Sequence, residues 1–241
     1  MRTTESLREP SGRGLAIVSA AISLLSACSS APLTEPGGDA AGDGSAGSAV
    51  GGRAAVAPQS SGPDYFREEY PAGPYGIAAG AVIEDFAFMG WREPATVEYD
   101  VTKLETIRLS EFYDPNGTTK LVWINASAVW CAVCRAEMKD IKAKGIHAAL
   151  GAKGLVMVET LFEDNDTNPA RPSDLKLWGS LPDNSIDFPL LLDPGFKLGV
   201  FFTSDATPLN MLVDPKTMRV IDATMGYSTG YWRQVEQLLD K

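Results

Sequence analysis

Apolar residues along this chain fall into short blocks separated by polar turns, and the blocks sharpen towards the C-terminus. The longest lies near the start, LAIVSAAISLLSA from Leu15 to Ala27. From Ser29 to Pro63 large apolar side chains almost vanish. They return near Tyr65, but Ile77–Ile83 and Phe86–Met89 are broken by Gly and Pro and give no clear period. After Ile107–Ser110 and the turn signal Asp114-Pro115-Asn116-Gly117 the pattern becomes legible. LVWIN (121–125) predicts a short buried strand. Residues 131–144 predict a helix with Met138 and Ile141 on its apolar side and Gly145 ending it. LVMVETLF (155–162) predicts a second buried strand, and Ser173 is placed to cap a short helix carrying Leu175, Leu177 and Trp178.

FPLLLD (188–193), GFKLGVFF (195–202), LNMLVD (209–214), MRVIDATMG (218–226) and GYWRQVEQLLDK (230–241) then predict strand, helix, strand, strand and helix. A hairpin turns at Asp214-Pro215-Lys216-Thr217. Strands alternate with helices and then pair antiparallel, which predicts an α/β fold with a mixed central sheet flanked by helices. No internal repeat is visible. At 241 residues, with 44% hydrophobic and 22% charged positions, the chain can bury an ordinary core. The formal charge of −10 argues against nucleic acid, which needs a basic face, and against attachment to anionic lipid through surface charge.

An attachment of another kind is written at the start. Arg2, Arg8 and Arg13, diluted by Glu5 and Glu9, precede the apolar run. That run is too short to span a bilayer and suits a secretory h-region. It ends in Leu25-Ser26-Ala27-Cys28, which resembles the lipobox of bacterial lipoproteins. The resemblance implies a signal peptide over 1–27 and a lipid on Cys28 as the first mature residue. A plain signal peptide, with Cys28 a bystander, is the other reading. Lipidation also accounts for the odd cysteine count, since an unpaired thiol is a liability in an oxidising compartment. Residues 28–63 are rich in Gly, Ala, Ser and Pro, with too few apolar groups to offset ordering, and read as a flexible tether. Such a chain spans about 30–35 Å end to end. The folded domain is expected over 64–241.

Two of the three cysteines, Cys131 and Cys134, fall where a buried strand gives way to a helix. With Cys131 as N-cap and Cys134 at N3, both sulfurs sit at the positive end of the helix dipole. Free N–H groups there depress a thiol pKa from about 8.5 towards 7 or lower. Redox chemistry needs this, because the thiolate is the attacking species. Structural zinc needs four ligands, and beyond these cysteines the sequence offers one distant histidine, so no metal is expected. A staple across so short a loop removes little unfolded-state entropy. A Cys–His hydrolase would need His147 beside Cys131, yet sixteen residues of one helix separate them by about 24 Å; His147 reads as a solvated residue at a helix end. Asp164-Asn165-Asp166-Thr167-Asn168 imitates an EF-hand start, but Pro169 and Leu175 occupy the glycine and glutamate positions, leaving a polar loop.

Trp130-Cys131-Ala132-Val133-Cys134, after a buried strand and opening a helix, resembles the active site of the thioredoxin superfamily. Arg135-Ala136-Glu137-Met138 narrows the resemblance to the TlpA/ResA-like redoxins, thiol–disulfide oxidoreductases of bacterial envelopes. Thr207-Pro208 resembles the superfamily's cis-proline, with Phe188-Pro189 as the rival, and Gly226 its glycine after the last strand. The resemblance, covering about residues 75–241, implies a thioredoxin-like fold and no cofactor beyond a redox-active Cys131–Cys134 disulfide. It implies Cys131 as exposed nucleophile, Cys134 as resolving thiol, Trp130 as a shield, and the backbone at Thr207 as a dock for an extended substrate segment. Thioredoxin keeps a buried aspartate six residues before its first cysteine. Asn125 stands there and cannot take a proton. Glu137, at i+3 from Cys134, is the candidate base on the resolving thiol; an exposed glutamate favoured by the helix N-terminus is the plainer reading. The implied partners are protein thiols and disulfides, with electrons from a membrane thiol reductase, and the implied direction is reduction, towards cytochrome c maturation.

Ala132-Val133 departs from the proline-containing dipeptide common in that family. Valine restores an N–H at N2, expected to point at the Cys131 sulfur. Ala126 and Ser127 replace aromatics and imply a roomier floor. Two other classes stay open. A peroxiredoxin frame would put threonine or serine at Ala128 and proline at Ile124, and has neither; a non-enzymatic surface lipoprotein could keep the scaffold alone. The lipid reading predicts that Cys28→Ala releases the protein from membranes while domain thiol chemistry persists. Fractionation and the mature mass check it, and a soluble, lipid-free wild type would refute it.

Overall fold

Eight consecutive residues of β3, Leu121–Ala128, are buried, as a central strand covered on both faces requires. In the computed structural model the described residues are 69–241, so the signal-like head, Cys28 and the tether 28–63 lie outside them. Strands β1 (Ala87–Trp91) and β2 (Glu105–Arg108) precede β3. After it come α1 (Ala132–Lys144), α2 (Ile146–Gly151), β4 (Leu155–Glu163), α3 (Pro172–Ser180) and β5 (Leu190–Leu192). The chain closes with β6 (Leu209–Asp214), β7 (Arg219–Met225) and α4 (Tyr231–Leu239). The seven strands form one sheet in the order β2-β1-β5-β4-β3-β6-β7. β3, β4 and β5 run parallel; β1, β2, β6 and β7 join antiparallel, so the sheet is mixed and flanked by helices as expected.

Side chains alternate across a strand, and Trp123, Asn125 and Ser127 share one face of β3. On that face Trp232 of α4 meets Trp123 edge to face, with centroids 5.1 Å apart. From the same side Glu137 of α1 reaches Asn125, and Trp178 of α3 reaches Glu159 of β4. Three helices therefore cover the face over which the cysteines sit. α1 stops where Gly145 turns left-handed at φ +62, its N–H returning to the carbonyls of Ile141 and Lys142.

Several boundaries differ from the sequence expectation. α3 is capped by Arg171 rather than Ser173, because Pro172 fits the first helical position with its fixed φ and missing N–H. The strand read over 188–193 shortens to Leu190–Leu192. The helix read over 195–202 is a 3-10 turn, Lys197–Phe201, whose free N–H groups at Lys197 and Leu198 are taken by the Asp193 carboxylate at 2.9 and 3.0 Å. His147 is not on the helix of Cys131, since Gly145 breaks it. Half-buried in α2, its Nδ1 lies 2.8 Å from Asp187 and its ring packs on Phe188. No helix among the described residues is long and apolar enough to cross a membrane.

The illegible N-terminal region supplies the two strands that extend the β5 edge. Gly90 faces Leu191 in that pairing, and a Cβ there would lie 2.4 Å from the Leu190 carbonyl oxygen. Gly90→Ala is expected to lower unfolding free energy by about 2 kcal/mol or more, the scale of overpacking in a rigid core. Urea denaturation of the oxidised protein measures it.

Candidate active site

β3 ends at Ala128, and the chain turns through Val129 and Trp130 into α1. Cys131 is the N-cap in extended conformation, and its sulfur accepts the N–H of Cys134 at 3.0 Å. The first helical turn therefore brings the two sulfurs together, and they are bonded as a disulfide. In this oxidised form the N–H at the Cys131 sulfur is that of Cys134 and not of Val133. The extended cap, closed by the disulfide, aims Sγ at N3 rather than N2. Cys134 is fully buried, while Cys131 keeps 4% of its surface. The exposure expected of Cys131 is thus slight in the disulfide state, although it remains the outer of the two.

The peptide between Thr207 and Pro208 is cis, and Phe188–Pro189 is not. The loop entering β6 lies against the cysteines, with the Thr207 hydroxyl donating to the Cys131 sulfur at 3.2 Å. Sequence reasoning gave Thr207 only a backbone role; its side chain adds a donor to the same sulfur. Gly226, at φ +79, donates its N–H to the Pro208 carbonyl at 2.7 Å, tying the end of β7 to this loop. Trp130 is 37% exposed, and its indole N–H is held by the Glu163 carboxylate at 2.7 Å. Glu163 at the end of β4 was not anticipated.

Beneath the disulfide lies a polar interior. Glu137, one turn beyond Cys134 on α1, is fully buried, which removes the reading of an exposed helix-end glutamate. Its Oε2 accepts from the Asn125 side chain at 2.9 Å. Asn125 in turn accepts from Ser127 Oγ at 2.8 Å, so Ser127 fills a hydrogen-bonding role at the floor. Asn210 Oδ1 accepts from Trp123 Nε1 at 2.7 Å and from Asn125 Nδ2 at 3.3 Å. Glu159, the register partner of Asn125 on β4, is also fully buried and accepts from Trp178 Nε1 at 2.9 Å. One oxygen of each glutamate, Glu137 Oε1 and Glu159 Oε2, has no hydrogen-bond partner.

Burial disfavours a charge that such few donors can stabilise. Loss of solvent pushes the Glu137 carboxyl well above its ordinary range, the neighbouring Glu159 adds to this, and the Asn125 amide opposes it. Burial pushes Glu159 up to about 8, against the Trp178 donor. In the disulfide form burial thus favours the neutral over the charged form of both carboxyls. Sequence reasoning missed Glu159; the signal was a carboxylate inside the apolar run LVMVETLF. No group of three or more His, Cys, Asp or Glu among the described residues could hold a metal ion.

No family model matches the sequence, and no curated protein is significantly similar to it. Solved structures are similar in fold. A putative thiol:disulfide interchange protein DsbE from Chlorobium tepidum is 20% identical over 68% of this chain and 96% of its own, with a TM-score of 0.50. The exposed lipoprotein thioredoxin Etrx1 from Streptococcus pneumoniae is 22% identical over 65% and 98%, at 0.47. A 2-Cys peroxiredoxin from Plasmodium vivax is 13% identical over 67% and 80%, at 0.46. At 20% identity the likeness to the Chlorobium tepidum protein is one of architecture, and with the sheet order and the cis-proline loop already described it leads to one conclusion: the chain has the thioredoxin-like fold.

Proposed function

We propose that this chain is a thiol–disulfide oxidoreductase of a bacterial envelope, tethered to a membrane by lipid on Cys28 and reducing disulfides in protein substrates. The observation that carries the reading is the Cys131–Cys134 disulfide at the start of α1, with the buried Glu137 carboxyl one turn further along the same helix. The name of the structurally similar Chlorobium tepidum protein, a putative thiol:disulfide interchange protein, accords with it. The lipobox-like Leu25–Cys28 and the TlpA/ResA-like motif support the location, the reducing direction and a membrane thiol reductase as electron donor.

The reaction divides into two exchanges. In the reduced protein the Cys131 thiolate, held by the Cys134 N–H and the Thr207 hydroxyl, attacks one sulfur of a substrate disulfide. A mixed disulfide forms and the other substrate sulfur leaves as thiolate. Cys134 then gives its proton to the Glu137 carboxylate and attacks the Cys131 sulfur. The protein disulfide forms, and the substrate departs with both sulfurs reduced. Two electrons have moved to the substrate, and one proton has moved from Cys134 to Glu137. Reduction by the donor runs the same steps backwards, with neutral Glu137 as the acid that protonates the departing Cys134 thiolate. A neutral Glu137 in the oxidised form is what this reversibility demands.

Turnover tests the chemistry. Wild type is expected to catalyse insulin reduction, and Cys134→Ser to accumulate mixed disulfides through Cys131 while Cys131→Ser accumulates few. Non-reducing gels followed by mass spectrometry read the difference; equal trapping by both variants would reverse the assigned roles, and no turnover would remove the enzymatic reading.

Buried neutral carboxyls also leave a mark on stability. Glu159 titrates near 4.5 when solvated and near 8 in the fold, so between these values the folded protein holds a proton that the unfolded chain has lost. Stability contributed by the neutral form is therefore present below pH 4.5 and lost as pH rises towards 8, with a slope of up to about 1.4 kcal/mol per pH unit for one proton. Glu159→Gln keeps an acceptor for Trp178 and should flatten the slope by that amount, gaining on wild type as pH approaches 8. Urea unfolding of the oxidised proteins from pH 5 to 8 checks it; parallel profiles would mean that Glu159 is ionised in the fold.

A further inference from the structure

A cavity of about 180 Å³ opens between the second half of α1, α2 and the loop that follows α3. Met138 and Ile141 of α1 and Phe188 form its apolar wall, and the His147 ring, 5.0 Å from that of Phe188, continues it. Ala148 stands at its exposed rim. Into this lining comes Asn184, almost completely buried, whose side-chain oxygen and nitrogen both lack a hydrogen-bond partner in the protein. The other polar groups around the cavity are engaged. The Tyr99 hydroxyl donates to the Ile186 carbonyl at 2.9 Å, His147 Nδ1 pairs with Asp187, and Lys142 donates to Ser185.

A buried carboxamide with neither atom paired is costly, and native structures supply partners for such groups. The complement of a primary amide is an edge that offers a donor beside an acceptor, so that two parallel hydrogen bonds form. Carboxamides and lactams have that edge. A carboxylate lacks the donor and would carry its charge into an apolar wall. The size sets a second condition, since a cavity of roughly 150 Å³ holds one benzene ring. We propose that this cavity is a binding site for a small uncharged cyclic molecule bearing a carboxamide or lactam edge, held by paired hydrogen bonds to the Asn184 side chain. The site does not include the cysteines and is read by binding, so it stands or falls apart from the thiol chemistry.

Benzamide, benzoate and toluene make a sufficient probe set, titrated against the full chain by calorimetry and ligand-detected magnetic resonance. Benzamide is expected to bind saturably and about tenfold tighter than either of the others, the worth of one added pair of good hydrogen bonds. Asn184→Leu should cost benzamide about tenfold and strengthen toluene, an inversion that loss of structure alone would not produce. Ala148→Trp, which closes the rim from an exposed position, should abolish binding of benzamide while circular dichroism and insulin reduction stay unchanged; it decides the matter if Asn184→Leu fails to fold. Benzamide binding no tighter than toluene or benzoate, indifference to Ala148→Trp, or no saturable binding at the solubility limit would each overturn the proposal, the last leaving solvent as the partner of Asn184.

Discussion

A row of polar side chains crosses the middle of the sheet beneath α1, and the candidate active site depends on it. Glu159 on β4, Asn125 on β3 and Asn210 on β6 are register partners, each buried. A buried polar row must be paired from within, and all but one oxygen of each glutamate is: Trp123 and Asn125 donate to Asn210, Trp178 to Glu159, and Asn125 to Glu137. The last of these bonds docks α1. Because Glu137 lies one turn beyond Cys134, holding it on Asn125 fixes the rotation of the helix whose first turn carries both sulfurs. A one-residue slip of β3 would carry Asn125 to the other face and leave Glu137 buried without a donor. Strand register and helix placement are thus one condition.

The same row decides where a proton can be kept. Asn125 occupies the place of a titratable group, but an amide holds no exchangeable charge. Its contribution is directional: it donates to Glu137 and accepts from Ser127, so the carboxyl faces a fixed donor on one oxygen only. In the proposed cycle proton storage therefore falls to the helix, at Glu137, rather than to the strand. The outer sulfur is served differently. Cys131 draws on a helix N–H and on the Thr207 hydroxyl, donors that stabilise a thiolate without removing a proton from anything. Inner and outer cysteines are distinguished by what surrounds them, as the proposed division into an attacking and a resolving thiol requires.

Legibility in the sequence followed the range of the interactions. β3, α1 and the boundary between them were readable because caps, apolar period and the Gly145 stop are local. The fate of Glu137 was not. Its spacing from Cys134 allowed either a buried base or a solvated glutamate, and the choice is made by Asn125, a strand away. Glu159 sat inside a run read as apolar, although a carboxylate in a strand covered on both faces needs a partner, here Trp178 on α3. β1 escaped because Gly90 interrupts its pattern and its partner β5 lies about a hundred residues on; β2 is a four-residue edge with one buried position. Nothing local marks Asn184, whose isolation arises only when α1, α2 and its own loop converge.

Two carboxyls where one would suffice calls for a physical reason. Glu137 and Glu159 raise the cost of each other's charge in an interior with few donors, so the pair accommodates one negative charge far more readily than two. In the proposed cycle the interior then alternates between two states of fixed charge. With the disulfide closed, burial favours both carboxyls in their neutral form. With the dithiol formed, the proton sits on Cys134 as a neutral thiol and Glu137 is the carboxylate that gave it up. A second ionisation that would strip Cys134 of its proton prematurely is disfavoured by the first. The buried sulfur stays a thiol until Cys131 has been captured in a mixed disulfide. At that point the Cys131 thiolate charge has left with the substrate sulfur, the local field relaxes, and proton transfer from Cys134 to Glu137 becomes favourable. The order of the two exchanges follows from the charge capacity of the space beneath them.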